Sequence, residues 1–195
     1  MNHLLEELGF APISEDSYRM LVGDGIANLV FRALPQGIAE TKNIGALVVE
    51  YRRIYDDIWR RYTGPYPGIP AMLDSLSEKD LKLAVLSNKS QVFTMQMVGE
   101  TLGRWRFERV VGESPDFPLK PDPLAALDIA DTFGLSVNEI GLVGDSGIDM
   151  ETAVGAGMCP IGVEWGFRTM DELHNSGARH FLKKPADLLT ILGGG

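Results

Sequence analysis

The stretch that most restricts the fold is Ile140-Gly-Leu-Val-Gly-Asp145-Ser-Gly-Ile-Asp149-Met-Glu-Thr-Ala, an apolar run that ends on a glycine and then presents two aspartates four residues apart. Such a run reads as a buried parallel strand, and in open α/β sheets the carboxyl ends of the strands are where ligands bind. Gly144 permits a tight turn, Asp145 falls at the strand tip, and Asp149 lies about one turn into the following helix. Two carboxylates then face one small volume, an arrangement that calls for a neutralising cation, and hard oxygen ligands suit Mg²⁺. A simpler reading is that Asp145 caps the helix and Asp149 is a solvated first-turn acid favoured by the helix dipole. The segment by itself leaves both readings open.

Composition narrows the class. The chain has 195 residues, 45% apolar and 23% charged, enough to bury a core and ordinary for a globular protein. Eighteen basic against twenty-seven acidic residues give a net charge of −9, which argues against a nucleic-acid or anionic-membrane surface. An anionic substrate then needs locally placed basic groups or a metal. The single cysteine, Cys159, excludes an internal disulfide, fits a reducing compartment, and sits in an apolar run as a packed thiol rather than a nucleophile. No run of eighteen apolar residues and no basic-then-apolar leader is present, so the cytoplasm is the expected location.

Residues 1–63 have helical periodicity throughout and read as a small helical domain. Leu4, Leu5 and Leu8 end a helix at Gly9, Ser14 caps a second, and Leu29, Val30, Ala33 and Leu34 carry a third up to Pro35. A longer helix is expected from about Glu40 to Tyr62, with Ile44, Leu47, Val48, Tyr51, Ile54, Tyr55, Ile58 and Trp59 at three- and four-residue steps. The grammar changes at Thr63-Gly-Pro-Tyr-Pro-Gly68. Residues 64–195 alternate helices with short apolar runs at Leu83–Leu86, Arg109–Gly112, Ile140–Gly144, Ile161–Val163 and Phe181–Leu182, the pattern of a doubly wound, Rossmann-like parallel sheet. The terminal Gly193-Gly-Gly195 is expected to be disordered.

Three features now stand in one order: a strand ending in Ser87-Asn88, Lys120 inside Leu-Lys-Pro-Asp-Pro, and the strand ending in Asp145 with Asp149 behind it. In that order they resemble the haloacid-dehalogenase-type hydrolases, and the Tyr66-Pro-Gly, Ser-Asn-Lys and Gly-Asp-Ser motifs look most like the phosphoglycolate-phosphatase branch. A receiver domain would place its acidic cluster before its hydroxyl and lysine, and nucleotide-binding glycine motifs are lacking. The resemblance implies that Ser87, Asn88 and Lys120 hold phosphate, with Lys120 catalytic, and that Asp145 and Asp149 hold Mg²⁺, Asp149 completing the shell or orienting Lys120. It also implies that residues 1–63 are a helical cap whose Gly23-Asp24-Gly25 loop reaches toward the substrate. Taken singly, Ser87 could merely cap a helix, Lys120 could be a solvated lysine, and the glycines could simply separate two helices.

The family's nucleophile lies in an Asp-x-Asp-Gly-Thr/Ser motif on a central strand, and no such motif occurs in these residues. At the nearest match, Gly23-Asp24-Gly25, the position two before Asp24 is Val22. The expectation is a chain lacking that strand through truncation or deletion, with the flanking strands closed up or leaving a seam. Mg²⁺ would then be weakly held, and the exposed seam would favour a homodimer. Two functions follow: a Mg²⁺-dependent phosphatase for a small, phosphoglycolate-like metabolite, inactive as it stands, or a catalytically dead relative that binds a phosphorylated ligand or a partner protein.

Overall fold

The computed structural model describes residues 1–192, and the Gly193–Gly195 tail lies outside them. The chain divides into two compact units, Met1–Gly64 and Pro65–Gly195.

The first unit is wholly helical, with α1 (Asn2–Glu7), α2 (Glu15–Leu21), α3 (Ile26–Ala33) and α4 (Ile44–Tyr62). Gly9, at φ 76°, takes the left-handed conformation just after α1. The Ser14 side chain accepts from the Ser17 amide at the start of α2. The long helix begins four residues later than its periodicity suggests. Asn43 accepts from the Ala46 amide and sets that start, while Ala39–Thr41 forms a separate 3-10 turn. Apolar faces meet in a core of Leu4, Leu29, Val30, Tyr51 and Ile54. Tyr51 stacks on Tyr55 with ring centroids 5.7 Å apart, and its hydroxyl lies 3.3 Å from that of Tyr18. Burial is the main reason the Tyr55 phenol is pushed up to about 12, and it raises Tyr51 as well.

The second unit contains α5 (Ile69–Glu78), β1 (Ala84–Ser90), α6 (Gln91–Leu102), β2 (Arg109–Glu113), α7 (Leu124–Phe133), β3 (Gly141–Gly144), α8 (Gly147–Ala156), β4 (Cys159–Val163), α9 (Met170–Asn175), β5 (His180–Leu182) and α10 (Asp187–Leu192). All strand pairs are parallel, as alternating helices and strands require. One apolar cluster gathers α7, α8 and Ile140, the other α5, α10, β4 and β5. No described helix is long and apolar enough to cross a membrane.

The strands form two sheets, β1-β2 and β3-β4-β5. Among the described residues no strand joins β1 to β3. A cavity of about 330 Å³ lies there instead, lined by Leu73 and Leu76 of α5, Leu86 of β1, Ile129 of α7, and Leu142 and Val143 of β3. Val143 is 42% exposed although it sits in a parallel strand, where both faces are normally covered.

β1 runs farther than its apolar residues. Leu86 pairs with Val111 and Ser90 with Glu113, so Ser87, Asn88 and Lys89 bulge opposite Gly112 alone. Gln91 fills the interrupted ladder: its amide nitrogen donates to the Val110 carbonyl at 3.1 Å, and its oxygen accepts from the Gly112 amide at 2.6 Å. A Cβ on Gly112 would stand 2.7 Å from the Lys89 carbonyl oxygen, so the bulge requires glycine there.

Candidate functional site

The bulge of β1 and the turn after β3 emerge at the carboxyl ends of their strands, and Lys120 comes between them on the segment leading to α7. The Lys120 backbone is docked onto Asn88: its amide donates to Asn88 Oδ1 at 2.8 Å, and Asn88 Nδ2 donates to its carbonyl at 3.1 Å. The Lys120–Pro121 peptide is cis. From this anchored position the Lys120 ammonium donates to the Leu86 carbonyl at 3.2 Å and to Asp149 Oδ1 at 2.6 Å. Both side chains of the pair are largely buried, at 12% and 10% exposure. A buried pair of this kind persists only when further hydrogen bonds compensate its desolvation, and both partners have them.

Asp149 is held on its other oxygen too. Oδ2 accepts from the amides of Asp145 and Ser146 at 3.2 and 3.1 Å and from the Ser146 hydroxyl at 2.7 Å. Ser146 and Asp149 form a reciprocal capping box on α8. Gly144 makes the return possible, since a Cβ there would stand 2.2 Å from that of Asp149. With both oxygens committed, Asp149 orients Lys120 and closes the turn.

Asp145 differs. Its Oδ2 accepts from the Phe167 amide at 2.9 Å, and no described donor reaches Oδ1. It is therefore the aspartate with an oxygen to offer a cation. No cluster of three His, Cys, Asp or Glu side chains suited to a metal occurs among the described residues. Mg²⁺ commonly uses one or two carboxylates and completes its octahedron with water and phosphate oxygens, so Asp145 fits the role of one protein ligand in an otherwise water- and substrate-filled shell.

Ser87 sits at the bulge with its Oγ accepting from the Lys89 amide at 3.1 Å, which leaves its hydroxyl hydrogen available. The second unit thus brings together Ser87, Asn88, Lys120, Asp145 and Asp149. Gly23, Asp24 and Gly25 belong to the first unit. There Asp24 pairs with Arg32 at 2.6 Å, its carbonyl accepts from Asn28 Nδ2 at 2.9 Å, and the flanking glycines have φ of 140° and 94°. One Asp24 carboxylate oxygen is buried with no partner. The pair helps hold the loop.

Three contributors escape a reading of motifs. For Ser146 the available signal is its place three residues before an acid, the capping-box spacing, and it rather than Asp145 caps α8. Glu172 accepts from the Gly147 amide at 3.1 Å, and Phe167 reaches Asp145 from the turn after β4. For these two the only sequence signal is a glycine-containing turn following a strand.

The sequence profile of the haloacid dehalogenase-like hydrolases matches residues 1–163. A phosphoglycolate phosphatase of Neisseria meningitidis serogroup A is 30% identical, over 90% of this chain and 76% of the relative. One from Aquifex aeolicus is 29% identical, over 96% and 84%. Among solved structures, a haloacid dehalogenase-like family hydrolase from Streptococcus pneumoniae superposes with a TM-score of 0.85 at 21% identity, covering 97% of this chain and 86% of that one.

Proposed function

Because the chain belongs to the haloacid dehalogenase-like hydrolase family, in its phosphoglycolate-phosphatase-like branch, we propose that residues 64–195 carry the phosphate- and Mg²⁺-binding half of a site for a small phosphorylated metabolite. In this reading the residues present do not turn that metabolite over by themselves. The observation that carries this reading is Lys120, buried and fixed between Leu86 of β1 and Asp149. A cation held there can lie against an anionic group bound at Ser87 and the bulge.

In this reading the Ser87 hydroxyl donates to a phosphate oxygen and Lys120 offsets its charge. Asn88 fixes the Lys120 backbone, and Asp149 fixes its ammonium. Asp145 presents Oδ1 to Mg²⁺, which when bound neutralises charge on the phosphate. The residues 1–63 form the cap, and its Gly23-Asp24-Gly25 loop contributes to substrate choice. In this reading none of these groups serves as the nucleophile toward phosphorus, and no Asp-x-Asp-Gly-Thr motif occurs in these residues.

The cavity between β1 and β3 supports the picture of an unfilled strand position, and its unpaired edges favour a homodimer. The same observation favours the second reading, a catalytically dead relative that binds a phosphorylated ligand or a partner protein.

The expected result with a generic aryl phosphate and Mg²⁺ is no turnover, together with phosphate binding that weakens in Lys120→Met. Metal-dependent hydrolysis that disappears in Asp145→Ala would overturn the inactive assignment. Restoring a motif-bearing strand and recovering hydrolysis would favour the phosphatase reading over the dead relative.

A further inference from the structure

We infer that the turn after β4, residues 164–168, is a positioning clamp for Asp145, with Gly166 and the Phe167 amide as its working parts. The inference rests on the assignment of Asp145 as a Mg²⁺ ligand, but its geometry is independent of any ion. β4 runs parallel beside β3 with Gly162 opposite Gly144, so the turn leaving β4 emerges at the same end of the sheet as Asp145. There Phe167 donates its amide hydrogen to Asp145 Oδ2 at 2.9 Å.

Gly166 makes that approach possible. A Cβ at this position would lie 2.1 Å from the Asp145 Cβ and 2.5 Å from Oδ2. Its backbone is outside the left-handed region, unlike that of Gly157 or Gly177. The requirement at 166 is therefore space beside the carboxylate, and alanine would suit the backbone while evicting Asp145. The turn is itself tethered: Arg168 Nε lies 3.6 Å from Glu172 on α9, and the same Glu172 oxygen accepts from the Gly147 amide at 3.1 Å. Two points of the segment after β4 thus grip the turn after β3. The consequence is a carboxylate with Oδ2 committed to the backbone and Oδ1 aimed for a cation. Gly166 and Phe167 are positioning residues that act through Asp145.

The test is a Mn²⁺ titration of the metal-free full chain, read by the electron paramagnetic resonance signal of free Mn²⁺. Amide exchange at Phe167 is measured in the absence of metal. Gly166→Ala should weaken Mn²⁺ binding by about 10- to 100-fold, the usual loss when a ligand's supporting contacts are removed. Adding Gly166→Ala to Asp145→Asn should cost nothing further. Gly99→Ala, with open space around the new methyl, should leave affinity unchanged. Exchange at Phe167 should accelerate in both Gly166→Ala and Asp145→Ala. Because the second variant leaves Gly166 intact, this readout decides the matter even if Gly166→Ala fails to fold. Unchanged Phe167 exchange in Asp145→Ala, or full Mn²⁺ affinity in Gly166→Ala alongside loss in Asp145→Asn, would overturn the clamp and leave the metal assignment standing. Equal affinity in the native chain and in Asp145→Asn would overturn the metal assignment and the clamp's purpose with it.

Discussion

β1 and β3 can be compared at two levels along their length. Toward their carboxyl ends the two strands are linked through one ammonium group, which donates to the Leu86 carbonyl, just before the β1 bulge, and to the aspartate one turn behind β3. Beneath that link the same strands face each other across an apolar cavity, which the Leu86 side chain also lines, with Val143 partly open to solvent. The difference teaches that the polar end is assembled by loops. Asn88 holds Lys120, Asp149 closes its own turn, and Phe167 holds Asp145, all without a hydrogen bond passing between the two strands. The polar end proposed to hold phosphate and a cation is therefore preorganised while the sheet beneath it is discontinuous.

The sharpest way to break the comparison is to cut the link. Lys120→Met leaves the buried Asp149 carboxylate without its cation, and the expected loss is about 3–5 kcal/mol in urea denaturation. A loss below about 1 kcal/mol, the range of exposed pairs, would mean the ends are held by something else. Added volume separates the two levels next. Ala153→Leu, on the fully buried face of α8, should cost about 1–3 kcal/mol, because a packed core has no room. Ala84 lines the cavity, so Ala84→Leu should instead gain about 0.5–2 kcal/mol by filling it. Thermal melts of the two variants moving in the same direction would contradict an unfilled seam. The smallest effect is expected for Ser146→Ala, which removes a cap on α8 at a cost of about 1 kcal/mol. Mn²⁺ affinity should fall along with stability in that variant, since Ser146 fixes Asp149, which in turn accepts from the backbone amide of Asp145. Ser136→Ala, in the equivalent capping box at Ser136–Glu139, should alter stability alone.

Much of the architecture was legible in the order of residues. Alternating apolar runs and helical segments after Gly68 specify parallel βα units, because a strand buried on both faces must be apolar and must be followed by a crossover. The helical character of the first unit follows from three- and four-residue spacing, although the start of α4 was displaced because a short side chain at Asn43 outcompeted periodicity. The candidate site was legible as motif order only. That Lys120 reaches back to Leu86, or that Phe167 crosses over to Asp145, depends on which strands lie side by side. Local pattern carries no term for such contacts, which are separated by 34 and 22 residues. The extension of β1 through Ser90 was hidden for a related reason: Ser87, Asn88 and Lys89 look like a loop, and the Gln91 side chain of α6 bridges the break in their register with β2.

The side chain of Gln91 stands in for the interrupted stretch of the β1–β2 ladder by presenting what a peptide group presents, one donor and one acceptor. The match depends on a single atom. Deamidation to glutamate would replace the donating nitrogen with an oxygen facing the Val110 carbonyl, turning an attraction into a repulsion without changing shape. The register of the segment bearing Ser87 and Asn88 thus hangs on the amide of Gln91: its conversion to a carboxylate would loosen that segment while leaving Lys120, Asp145 and Asp149 unchanged in sequence.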